Sequence, residues 1–188
     1  TDVTLEGANM TFSITQTGNS NTIAAVIKGT TYTGTWAFTG DSNTVDLLCS
    51  ATSTGDCDTV TLNITTTGDS NTFDFDIGEV ATADNSTVAF TLTGDNSVIN
   101  ADVDGQSAAV TVTSDNSTSL ATTSVNSDEG NAITIDVDGD GDTDGHTVTL
   151  DITGGGSTYD VTQSGVNDNI VVGTFDGDSQ DVDITQSD

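Results

Sequence analysis

The residues best suited to chemistry lie in one acidic stretch, DVDGDGDTDGHTVTLD, at 136–151. Asp140, Asp142, Asp144 and Gly145 have the alternating spacing of a calcium loop, and Asp151 falls where such a loop places its last ligand. Hard carboxylate oxygens at that spacing converge on a divalent cation, with glycine allowing the bend. Asp140, Asp142, Asp144 and Asp151 are therefore a candidate structural calcium site, and no other cofactor is expected. The following HTVTLD reads as a strand, whereas an EF-hand would continue as a helix. An acidic surface turn is the competing reading. His146, the one histidine, sits in the same stretch without a Gly-x-Ser-x-Gly nucleophile motif elsewhere. Pairs of aspartates for glycoside cleavage could be drawn anywhere, and nothing distinguishes one pair. No catalytic residue is assigned, and the chain is not expected to be an enzyme.

Cys49 and Cys57 are the only cysteines, and they bracket the short polar segment ATSTGD. In an exported protein a disulfide is the simplest reading of that spacing, with two reduced thiols as the alternative. The chain starts on Thr1, which suggests a removed leader and a secreted or cell-surface location.

The 188 residues include 30 acidic ones and a single basic one, Lys28, for a formal charge of -29. Such a balance excludes nucleic acid as a partner, because phosphate recognition needs clustered Lys and Arg. Anionic membrane surfaces are excluded for the same reason. No apolar run approaches the roughly 20 residues of a spanning helix, so membrane insertion is not expected. Hydrophobic content of 32% and aromatic content of 5% approach the composition of disordered chains.

Self-similarity argues for order instead. FSITQTGNSNTIAAVIKG (12–29) returns as WAFTGDSNTVDLLCSA (36–51), LNITTTGDSNTFDFDIG (62–78) and AFTLTGDNSVINADVDG (89–105), with more divergent copies to the end. Each copy is an alternating strand, a Thr-Gly-Asp/Asn-Ser-Asn turn and a second alternating strand. Apolar residues recur with period two, as in Val60, Leu62 and Ile64 or Phe73, Phe75 and Ile77, so each strand buries one face. The turns need backbone with positive φ, which glycine adopts freely and Asn or Asp tolerate. Gly18, Gly40, Gly68 and Gly94 mark them, with Asn21, Asn43, Asn71 and Asn96 as candidate rungs of a side-chain ladder. The expected fold is all-β: a β-solenoid of two short strands per coil and about eight coils. An antiparallel sandwich is the alternative. Residues 1–188 form a single repeat array with a Cys-bracketed insertion at 49–57 and an acidic loop at 136–145.

The repeat resembles that of the curlin-type subunits of bacterial curli fibres, whose pattern is Gln-x-Gly-x-x-Asn-x-Ala between two strands. Gln16-Thr17-Gly18-Asn19-Ser20-Asn21 matches it, and Gln163-Ser164-Gly165 with Asn167 or Asn169 matches approximately. Elsewhere Thr39, Thr67 and Thr93 stand in place of the glutamine, and Ile27 takes the place of the second one. The resemblance implies a functional amyloid, a solenoid that polymerises end to end into an extracellular biofilm filament. Its partner would be itself, with a secretion or nucleator protein as a second candidate.

Both outermost segments still alternate like interior strands, so Val3, Leu5, Val182 and Ile184 are expected assembly edges with no cap. Repulsion between subunits of charge -29 makes assembly dependent on salt or calcium. The alternative function is a monomeric adhesin or fibre stalk on a calcium-stabilised solenoid. Ice binding ranks third: outward Thr59, Thr61 and Thr65 suit it, but Asp74, Asp76, Asp136 and Asp151 are expected to interrupt the face.

Overall fold

In a computed structural model of the chain, described for residues 1–49, 57, 59–77, 85–95, 97–103, 109–115, 122–127, 132–138, 147–153, 156–165 and 170–187, every regular element is a strand. Alternate strands belong to alternate sheets. The first sheet contains β1 (Asp2–Glu6), β3 (Thr22–Lys28), β5 (Thr44–Cys49), β7 (Thr72–Ile77), β9 (Val98–Val103), β11 (Thr122–Ser127), β13 (Thr147–Thr153) and β15 (Ile170–Asp176). The second contains β2 (Asn9–Thr17), β4 (Thr31–Thr39), β6 (Thr59–Thr67), β8 (Thr87–Thr93), β10 (Ala109–Asp115), β12 (Ala132–Asp138), β14 (Thr158–Ser164) and β16 (Asp181–Ser187). Neighbours within each sheet are parallel and follow chain order, so each passage through one strand of either sheet is a turn of a β-solenoid. Parallel pairing disposes of the antiparallel sandwich.

Period-two patterning places the core between the sheets. Along β4 the residues alternate from buried Tyr32 to exposed Thr33 and onwards to buried Phe38 and exposed Thr39. Val45 and Leu47 of β5, Leu62 and Ile64 of β6, and Phe73 and Phe75 of β7 are all buried. Because like stacks on like, the small core is organised as columns: Ile14, Trp36, Ile64 and Phe90 succeed one another across β2, β4, β6 and β8. Across the interior, Trp36 and Phe75 meet edge to face at 5.9 Å, and Phe38 and Phe73 at 5.8 Å, a favoured aromatic geometry.

One polar thread enters this core. Tyr32 folds its ring over Gly34, where any Cβ would collide with it. The Trp36 Nε1–H donates to the Tyr32 hydroxyl at 2.8 Å, and that hydroxyl donates to the Phe12 carbonyl at 2.9 Å. The chain contains two tyrosines, Tyr32 and Tyr159, and burial raises the pKa of both above the ordinary 10.0. The unfolded chain therefore ionises first. Their contribution to stability is fully present below pH 10.0 and is lost as pH climbs through the folded-state values. Alkaline titration of phenolate absorbance should show no tyrosine ionising at the ordinary value until the chain unfolds. Two unperturbed transitions in folded protein would contradict the buried placement.

Candidate functional site

The turns between the strand pairs are built from the repeat outward. Gly18, Gly40, Gly68 and Gly94 adopt φ between 121° and 132°, a region L residues rarely enter. The second left-handed position is filled by Ser20, Ser42 and Ser70, at φ 57–58°, and not by the Asn or Asp expected from turn preference. The asparagines are held for another purpose. Asn21 directs its backbone N–H and its Nδ2 to the Asn43 Oδ1, both at 3.0 Å. Asn43 does the same to the Asn71 Oδ1 at 3.0 and 3.1 Å. Each Nδ2 also returns to a glycine carbonyl of its own turn, as Asn43 does to Gly40 at 2.8 Å. Asn43 and Asn71 are buried, so this ladder satisfies amide groups that would otherwise be costly inside.

The ladder stops at Asn71. Turn pairing places Ser97, not Asn96, against Asn71, and the buried Ser97 hydroxyl has no hydrogen-bond partner among the described residues. Asn96 itself lies outside the described residues. An outer column parallels the buried one: the Asn19, Asp41 and Asp69 side chains accept the backbone N–H of the residue stacked on each, at 2.9–3.0 Å. That column was missed because Asn and Asp at turn starts read only as turn formers.

The expected glutamine positions are brought into one column of the second sheet. Register runs from Gln16 through Phe38, Thr66, Leu92, Ser114 and Val137 to Gln163 and Gln186. Gln163 is fully buried, and Gln186 Nε2 donates to its Oε1 at 2.7 Å. Gln16, on the opposite edge strand, is half-buried. Gly165 extends the turn series, donating its N–H to the Ser187 carbonyl at 3.1 Å, while Asn169 lies outside the described residues. Val3 and Leu5 stand on edge strand β1, partly buried against the core, and Val182 and Ile184 stand on edge strand β16, 39% and 42% exposed.

Cys49 and Cys57 form a disulfide whose sulfurs are buried in the core. Of the calcium candidates, Asp140, Asp142 and Asp144 lie outside the described residues. Asp151 lies within β13, its backbone paired with Thr174. The segment after the acidic loop is strand and not helix.

The outward face of the second sheet differs from what alternation along the chain alone suggests. Asp74 and Asp76 belong to β7 and Asp151 to β13, which are strands of the first sheet. They do not interrupt the threonine rows, and the expectation that they would is corrected. Over β2, β4, β6 and β8 every outward position is Thr, Ser, Ala or Asn. One column reads Thr17, Thr39, Thr67 and Thr93, and another Thr11, Thr33, Thr61 and Thr87. Charge returns towards the other end, with Asp136, Asp160 and Asp183 outward on β12, β14 and β16. Sequence reading could have separated the faces by assigning odd and even strands to different sheets.

No family model, curated protein or solved structure matches the chain.

Proposed function

We propose that the chain is a structural element of an extracellular filament, in which copies stack through their β-edges and continue both sheets. The glutamine column supports this best. Setting β16 of one copy on β2 of the next, in the register kept throughout the second sheet, brings Gln186 against Gln16. The Gln163–Gln186 bond, 2.7 Å long, then gains another rung, as the asparagine ladder does at its own turns. The same register sets Val182 on Phe12 and Ile184 on Ile14, burying apolar side chains at the junction.

Shape also favours this junction. A cleft of ≈ 280 Å³ opens at the β1–β2 edge, lined by Val3, Phe12, Ile14, Gln16 and Ile23. Connections match as well: Glu6 to Thr11 and Asp176 to Asp181 are equally long links between the sheets. The likeness to the curlin repeat points the same way. Like charge opposes stacking, so growth should accelerate with ionic strength as screening shortens the range of repulsion.

Electron microscopy and light scattering of the chain, at low and high salt with and without calcium, test the reading. Unbranched filaments one solenoid wide are expected, abolished by Ile184→Asp on the edge strand. Isolated particles under every condition would overturn it.

A further inference from the structure

The uncharged face formed by β2, β4, β6 and β8 has no part in edge-to-edge stacking, and its composition is unusual for this chain. With 30 acidic residues in 188, a face spanning four strands has none. Among the described residues, the acidic side chains of the neighbouring segments lie on the first sheet, as Asp46 and Asp74 do, or in the turns, as Asp41 and Asp69 do. The geometry points to this face as a binding surface for a crystalline lattice of water, that is, for ice.

The face offers a fixed two-dimensional array. Outward side chains recur about 6.6 Å apart along a strand, twice the residue rise of a parallel strand, and about 4.8 Å apart between strands. Register is unbroken: all nine residues of β4 pair one to one with β2 and with β6. The array ends at the column Thr17, Thr39, Thr67 and Thr93, directly before the stacked glycine turns. There the bonds from the Gly18, Gly40 and Gly68 N–H groups to threonine carbonyls, at 2.8–2.9 Å, and the asparagine ladder hold the spacing. Ordering is thus completed before any ligand arrives, and the cost of binding falls accordingly.

The chemistry of the array selects its occupant. Each threonine presents one hydroxyl and one methyl, so the face hydrogen-bonds and excludes water in alternation. Hexagonal ice repeats its oxygen rows at spacings close to both those of the array. A protein partner is disfavoured because the face lacks the Trp, Tyr and Arg anchors that dominate such interfaces. A cation is disfavoured because these positions carry no carboxylate, and a stacked sugar ring because they carry no aromatic.

The test uses the purified full chain at low salt, measuring the gap between freezing and melting points and the partition of labelled chain into a growing ice hemisphere. A measurable gap and enrichment in ice are expected. Thr65→Lys, at the centre of the face on β6, should abolish both. Thr44→Lys, an equal charge change on exposed β5 of the opposite sheet, should leave both intact, with circular dichroism confirming that both variants fold. Exclusion of the unmodified chain from ice overturns the inference. So does equal loss in both variants, or a dimer abolished by Thr65→Lys, which would assign the face to a second copy.

Discussion

Replacing Trp36 by alanine is expected to destabilise the chain by about 3–5 kcal/mol, the range for deleting a fully buried large aromatic. The indole is completely buried. Its ring meets Phe75 edge to face, and its N–H supplies the Tyr32 hydroxyl with its donor at 2.8 Å. Neighbouring inward residues are smaller, and strands already locked in register cannot close the void. In a solenoid each turn is stabilised mainly by its neighbours, so the loss should appear as early release of the β1–β4 turns. Denaturant unfolding followed by circular dichroism should then become biphasic. Trp36→Phe keeps most of the packing and loses the donor, with an expected cost of about 1–2 kcal/mol. An unchanged midpoint for the alanine variant would contradict the buried placement.

Gly68→Ala is expected to be nearly as damaging, at about 3 kcal/mol, from strain and collision together. Its φ of 129° disfavours any side chain, and a Cβ would stand 2.6 Å from the Gly40 carbonyl oxygen of the turn below. The collision repeats along the stack, since a Cβ on Gly40 would lie 2.5 Å from the Gly18 carbonyl oxygen. Gly156 separates the two causes. It also has positive φ, 74°, but no atom of a described residue lies within 4 Å of its hypothetical Cβ. Gly156→Ala should therefore cost only about 1 kcal/mol. Equal thermal unfolding shifts for the two variants would show that stacking contributes nothing at Gly68.

The strand–turn plan was legible because alternation and glycine punctuation are local signals. Phe73, Phe75 and Ile77 announce an inward face within six residues, and a recurring turn at similar spacing favours a solenoid over a sandwich. Which sheet a strand joins is a non-local property. Asp74 and Asp136 look equivalent along the chain, yet one faces away from the threonine array and the other stands in its sheet. Ladder rungs depend on register to a single residue, which is how Ser97 comes to stand against Asn71. The outer Asn19–Asp41–Asp69 column was hidden because its hydrogen bonds join residues 22 to 28 positions apart.

The asparagine ladder has a direction. Asn21 gives to Asn43, and Asn43 gives to Asn71, so their amide dipoles are parallel and sum along the axis. These three turns thus carry a built-in arrow. Any lattice of such units inherits that vectorial character, like a row of arrows laid tip to tail. Its two extremities are inequivalent, with β1 and β2 at one and β15 and β16 at the other. Elongation at one should outpace elongation at the other even when every unit is identical.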